Sequence, residues 1–233
     1  MSDVVEIDGT LSTPYLQAAQ EGSPWLGLEI FDAAGERLGY CGAQVTGSPL
    51  PFRAHIERTA LADDSLLTFK AWCLAAVGSQ SRIAEASTTL TLADATAAPV
   101  DLQLEASEGF EASSGLHPIE MRVITLSGRV NIPAEVVKDT NKLDATLLIV
   151  QEDGASNRRS SNLAEHSLRV TGNQAAFTLF VDADSVPEGR SLRLNLGLYN
   201  LEGTQVYAGK NFRNLELGNL PDLSDITLKL PPR

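Results

Sequence analysis

Short runs in which apolar and polar residues alternate recur along the whole chain. Leu26-Gly27-Leu28-Glu29-Ile30, Thr89-Leu90-Thr91-Leu92, Val100-Asp101-Leu102-Gln103-Leu104, Phe177-Thr178-Leu179-Phe180-Val181, Ser191-Leu192-Arg193-Leu194-Asn195-Leu196 and Ile226-Thr227-Leu228-Lys229-Leu230 are clear cases. A period of two sends every second side chain to one side of an extended backbone, the pattern of a strand with one buried face. Stretches with helical period are almost absent, and only residues 12–20 and 133–138 have room for a turn or two of helix. The expected class is all-β.

The pattern also repeats. Ile7-Asp8-Gly9-Thr10-Leu11 matches Leu126-Ser127-Gly128-Arg129-Val130 at an offset of 119, and Leu28-Glu29-Ile30 falls on Leu147-Leu148-Ile149. The offset then grows to 125, pairing Phe52 with Phe177 and Phe69 with Leu194, and ends at 126 with Val100 to Leu104 on Ile226 to Leu230. Slow drift of this kind is what loop insertions produce in a tandem duplication. In the first half, strands are expected near 4–11, 25–32, 39–45, 52–58, 66–75, 83–92 and 100–104, and the second half repeats the order. Seven strands per half suit an antiparallel sandwich of immunoglobulin-like or transthyretin-like form. The reading is two tandem sandwiches, at 1–107 and 122–233. The Ser-, Gly- and acid-rich stretch that starts at Glu105 reads as the connection, with 108–121 as the linker.

Composition narrows the function classes. Thirty acidic against 18 basic residues give a net charge of -12, which disfavours nucleic acid, whose binding depends on clustered Lys and Arg. The excess is uneven: residues 1–107 carry 14 acidic and 5 basic groups, net -9, and residues 124–233 carry 13 and 12, net -1. The first half is the better partner for a basic surface. No window approaches the roughly 18 consecutive apolar residues of a membrane span. The first residues lack a basic and apolar secretory leader and a nearby lipid-acceptor Cys. The expected compartment is the cytoplasm, or the periplasm if the natural start lies upstream.

The second half carries Leu126-Ser127-Gly128-Arg129-Val130, a short helix-prone stretch, Ala145-Thr146-Leu147-Leu148-Ile149-Val150-Gln151, Ala176-Phe177-Thr178-Leu179-Phe180-Val181-Asp182, and Leu192 to Tyr199 before Gly203. This order resembles the YbaY and YscW family of small β-sandwich lipoproteins, which includes the pilotin chaperones of type III secretion. The first half resembles a more diverged copy, with Pro51-Phe52-Arg53-Ala54-His55-Ile56 in the Phe-centred place. The resemblance implies a sandwich fold, no catalytic residues and a protein partner such as a secretion or envelope component. The chain departs from it in carrying the domain twice and in lacking the leader and the lipid-acceptor Cys.

Candidate chemistry is sparse. The histidines are His55, expected in a strand, His117, in the linker, and His166, at a loop or strand edge; no G-x-S-x-G elbow accompanies them, and packed or solvated imidazoles are expected. Asp182, Asp184 and Glu188 lack the loop spacing of a calcium site and read as turn caps. Cys41 and Cys73 fall on the expected third and fifth strands, where a bridge is open if the strands neighbour each other and reduced core thiols are the expectation. No cofactor or metal is expected. Of the aromatic residues Trp25, Tyr40, Trp72, Tyr199 and Tyr207, the tryptophans read as core and Tyr207 as the best exposed ring. Arg158 and Arg159 form the only dense basic spot, and with Tyr207 they are the candidate partner-binding residues.

The expected function is that of a non-enzymatic protein-interaction or chaperone-like protein of two sandwich repeats, with strand addition at an exposed edge as its mode. The alternative is a small-ligand or glycan-binding module whose site is the groove between the repeats.

Overall fold

The computed structural model describes residues 4–14, 23–58, 61–76, 79–108, 120–137, 141–152, 158–203 and 205–230. The first half contributes β1 (Val4–Ser12), β2 (Trp25–Phe31), β3 (Arg37–Gln44), β4 (Leu50–Glu57), β5 (Leu66–Leu74), β6 (Arg82–Thr91), α1 (Leu92–Ala97), β7 (Val100–Gln103) and β8 (Glu105–Ala106). The second contributes β9 (Val123–Asn131), β10 (Asn141–Glu152), β11 (Arg158–Val170), β12 (Gln174–Asp182), β13 (Ser191–Tyr199), β14 (Val206–Leu215) and β15 (Ile226–Thr227), with short 3-10 turns at Ala134–Val136 and Ala183–Ser185. The all-β expectation holds, and most of the alternating positions lie in strands; Leu92 enters α1, and only Ile226–Thr227 of the last run forms a strand.

Two differences stand out. Residues 92–97 form α1, so the sixth strand stops at Thr91 and not at Leu92, because the Thr91 hydroxyl accepts from the Asp94 N–H and caps the first turn. Glu105–Ala106, read as the start of the connection, pairs with β6 as β8. Residues 109–119, most of the expected linker, lie outside the described residues, as do 15–20 of the first helix-prone stretch.

The strands form a large sheet in the order β14-β13-β10-β11-β3-β2-β5-β6-β8 and two small ones, β4-β1-β7 and β12-β9-β15. The small sheets form the second layer. One continuous apolar core, with Ile7, Leu28, Phe52 and Phe69 from the first half and Leu126, Leu147, Phe177 and Leu194 from the second, fills the space between layers. Gly9 and Gly128 explain the matched glycines of the repeat. Each faces a phenylalanine across its ladder, Phe52 and Phe177 respectively. A Cβ at Gly9 would lie 2.6 Å from the Phe52 ring and 2.0 Å from the Val100 carbonyl oxygen; at Gly128 it would lie 2.6 Å from the Phe177 ring. Glycine leaves room for the ring to fold across the ladder and, at Gly9, for β7 to approach.

The halves meet edge to edge. β3 and β11 pair antiparallel from Gly39↔Leu168 to Ala43↔Ala164, with Cys41 opposite His166. Cys41 and His166 are also separated by the repeat offset of 125, so a local two-fold axis passes between them. The contacts on either side of that axis are reciprocal. Asp182, at the end of β12, accepts from the backbone N–H and the hydroxyl of Thr46, both at 2.6 Å. Glu57, at the end of β4, accepts from the backbone N–H of Thr171 at 2.7 Å and from its hydroxyl at 2.5 Å. Each half thus uses the acid that closes its fourth strand to hold the turn after the other half's third strand.

Candidate functional site

The joined sheet creates three places with chemical character: the buried seam beneath β3 and β11, the outer face above it, and the remaining edges. In the seam, the β4 and β11 histidines come together. His55 and His166 are 3% and 1% exposed, with ring centroids 5.2 Å apart. The strand reading of His55 holds, whereas His166 sits inside β11 and not at an edge, because the edge that β11 would expose is covered by β3. The His166 Nδ1–H donates to the Thr178 carbonyl at 3.0 Å. The Thr178 hydroxyl lies 3.1 Å from His55 Nε2 and 3.1 Å from the Ser127 hydroxyl. His55 Nδ1 and His166 Nε2 are buried without a hydrogen-bond partner among the described residues.

Burial holds both imidazoles neutral. It pushes His55 down to about 4, helped by the Arg53 charge, and His166 down to about 3, helped by His55. Cys41 lies 3.9 Å from His166 Nδ1, and burial pushes its thiol up to about 12, so it is no nucleophile at neutral pH. Cys73 is likewise free and buried. Strand β2 separates β3 from β5, so the two thiols do not sit on neighbouring strands. The seam is a packed polar knot, and His166 also borders the hollow on the outer face.

On the outer face, three aromatic rings lie beside a glycine pair. Gly27 and Gly42 face each other across β2 and β3. A Cβ at Gly27 would meet the Trp72 ring at 2.9 Å; one at Gly42 would meet the Tyr40 hydroxyl at 2.5 Å and Trp25 Nε1 at 2.7 Å. Trp25 Nε1 donates to the Tyr40 hydroxyl at 2.8 Å. The Tyr40 and Trp72 rings are nearly parallel, 20° apart, with centroids separated by 6.0 Å. Trp72 is therefore not core: it shares the face of Thr68 and Lys70, opposite Phe69, Ala71 and Cys73. Trp25 is buried, as its core reading expects, although it lies on the outer face with Gly27 and Glu29. Beside the rings is a hollow of about 360 Å³ that spans the seam, lined in part by Glu29, Arg37, Lys142, Asp144 and Glu165. Burial, reinforced by Asp144, raises the Glu165 carboxyl above its ordinary range.

The edges differ in chemistry. β14 is pinned at Gly209 by paired hydrogen bonds with Lys229. It also carries Lys210, Arg213, two register shifts against β13 and Asn214 at φ 55°. Charges and bulges of this kind blunt an edge against further pairing. β6 is different: β8 pairs it only at Ala84 and Glu85, and among the described residues no strand covers its outer side from Ala86 to Thr91. That segment, Ala86-Ser87-Thr88-Thr89-Leu90-Thr91, has no charge and no proline.

The residues singled out from sequence do not converge. Arg158 and Arg159 begin β11 opposite Glu152 and Gln151, and their side chains lie outside the described residues. Tyr207 is half-buried and packs against the core, so it is not the exposed ring that the sequence suggests. A register shift in β14 between Val206 and Ala208 turns it inward, leaving Val206 exposed. Asp182 is fully buried and caps the 3-10 turn through the Asp184 N–H, in line with the capping role. Asp184 pairs with Arg122 at 3.3 Å. Neither a cluster of metal-ligating side chains nor a helix long and apolar enough to cross a membrane is found among the described residues. His117 lies outside them.

No family model matches the chain, and a search of curated proteins returns no match. Two solved structures align over most of its length. One, a candidate adhesin from Bacteroides ovatus, is 9% identical over all of this chain and 94% of its own; the other, a fimbrial assembly protein from Parabacteroides distasonis, is 11% identical over 90% and 86%. Both give a TM-score of 0.25, at which neither likeness carries an inference about this chain.

Proposed function

We propose that this chain is a non-enzymatic protein-interaction module that takes an extended segment of its partner onto the open edge of β6. The observation that carries the proposal is the contrast between edges of the large sheet: among the described residues β3 and β11 consume each other, β14 is blunted, and β6 is left uncharged and unpaired on its outer side from Ala86 to Thr91. A partner strand laid there gains the backbone hydrogen bonds that the edge leaves open, and its side chains alternate between the two faces. Glu85 and Glu105 flank the position, and the half that carries them is the acidic one. A partner segment with Lys or Arg at one end suits that surroundings.

The test uses two adjacent proline variants, Thr88→Pro and Thr89→Pro. Along an edge strand successive N–H groups point alternately to the neighbouring strand and to the open side, so one variant breaks the β5 ladder and the other leaves it intact. The expected result is that the variant with wild-type melting temperature loses the protein partner that co-purifies with the tagged wild-type chain from soluble or membrane fractions of its host. Recovery of the same partner in the same yield by that variant contradicts strand addition at β6. A secretin or another envelope component as the partner is the outcome that the YbaY and YscW resemblance implies.

A further inference from the structure

The outer hollow has a composition that β6 pairing does not use. Its charged groups are largely spent on one another: Arg37 bonds Glu29 at 2.8 Å, and Lys142 bonds Asp144 at 3.0 Å. Glu165 accepts from the Asn162 amide. The lining therefore offers many hydrogen-bonding groups with little net field, a poor match for a free cation or anion and a good one for a neutral polyhydroxyl ligand. Asp144 Oδ1 is buried without a hydrogen-bond partner among the described residues, so the partly exposed carboxylate meets the hollow through Oδ2, the oxygen paired with Lys142, and a sugar hydroxyl would donate there. The rings supply the apolar half of the match. Tyr40 and Trp72, nearly parallel beside the Gly27–Gly42 pair, present flat surface of the kind that the C–H face of a pyranose covers.

We propose that this face binds a neutral oligosaccharide, with sugar rings against Tyr40 and Trp72 and hydroxyls bonded to Glu29, Arg37 and Asp144. A second hollow, of about 580 Å³, adjoins the first, and Trp72 and Glu29 line both. Arg82 lies over the Trp72 ring on that side, 5.1 Å from its centroid, so a sugar ring against Trp72 displaces this guanidinium. The two hollows give room for more than one sugar residue, with Trp72 as the ridge between neighbouring rings. The first hollow contains no β6 residue, whereas Glu85, Ala86 and Ser87 of β6 line part of the second, so the test centres on the first.

Trp25 and Trp72 are the chain's only tryptophans, and both border this face, so intrinsic fluorescence reports on it directly. The full chain is titrated with cello-, xylo-, manno-, malto- and chito-hexaose, followed by fluorescence and calorimetry. At least one sugar is expected to give a saturable change, weakened at least about tenfold in Trp72→Ala and in Asp144→Asn. Should Trp72→Ala fail to fold, Asp144→Asn carries the test by calorimetry, since a partly exposed amide replaces a carboxylate of the same shape. The Thr89→Pro or Thr88→Pro variant that keeps its fold is expected to bind sugar as the wild type does. The proposal is overturned if no sugar saturates, if tetramethylammonium saturates the site in place of the sugars, or if folded Asp144→Asn binds with wild-type affinity.

Discussion

Between pH 6.5 and pH 4 the protein is expected to lose on the order of 5 kcal/mol of stability through His55 and His166, with a steep fall in melting temperature. The sign follows from where each imidazole takes its proton. In the unfolded chain both titrate near 6.5; in the folded protein burial holds His55 down to about 4 and His166 down to about 3. Between those values the unfolded state binds protons that the native state refuses, so stability falls as the pH falls. Well above pH 6.5 the pair is neutral in both states and adds no slope. The groups around the pair do not reverse this: Glu6 stands 3.8 Å from His55 Nδ1 and Asp8 favours protonation, but desolvation and the Arg53 charge outweigh them. At His166 the Thr178 carbonyl and Asp144 favour protonation and are likewise outweighed. Melting curves of the wild type, His55→Gln and His166→Gln from pH 7.5 to 4.5 check the claim, in a window above most carboxylate titration. Each variant should flatten the slope, and an unchanged slope in both would move the acid sensitivity elsewhere.

Asp182→Ala is the substitution outside the apolar core expected to cost most, about 3 kcal/mol in denaturant unfolding. The carboxylate is fully buried and accepts from the Thr46 N–H, the Thr46 hydroxyl and the Asp184 N–H. Its removal leaves these donors without their acceptor inside the protein, which is more costly than the loss of an exposed hydrogen bond. Glu57, its counterpart across the local two-fold, is less buried and faces Thr171 and Gly172 at the other end of the seam. Glu57→Ala is expected to cost about half as much. A double-mutant cycle of Asp182→Ala with Thr46→Val should show coupling above about 1 kcal/mol, since the two groups form one contact. Additive losses would mean that Asp182 acts on its own 3-10 turn and not between the halves.

The strands were legible because each contributes its own alternation, and a period-two pattern needs no knowledge of the partner strand. Leu67, Phe69, Ala71 and Cys73 alternate toward the core, and the same count places Trp72 outside with Thr68 and Lys70. Aromatic bulk argues for the core, but here the rings pack over glycines on the outer face, a close approach visible only once β2 and β3 are paired. The helix α1 had a local signal, Thr91 three residues before Asp94, hidden because the alternating run continues into Leu92. The seam was hardest to see. Pairing of β3 with β11 joins residues far apart in sequence, and either strand alone reads as any other. A trace of it exists all the same: Val45-Thr46-Gly47 recurs as Val170-Thr171-Gly172, and the acids Glu57 and Asp182 recur at the same offset of 125. A repeated Thr-Gly turn with a repeated acid is more than a hydrophobic spacing conserves, and the structure gives the reason, since each acid holds the other half's turn.

Which edges are available to a partner depends on the seam being closed, and hydrogen exchange at peptide resolution tests that most directly. Amides of residues 39–43 and 164–168 are expected to exchange as slowly as those of β2 and β10, at the rate of global unfolding, while Ser87 to Thr91 on the outer side of β6 exchange fast and slow down when partner is bound. Fast exchange across 39–43 and 164–168 in the free protein, matching that of the β6 edge, would contradict the account. The halves would then part readily, and the inner edges, not β6, would be the ones offered to a partner.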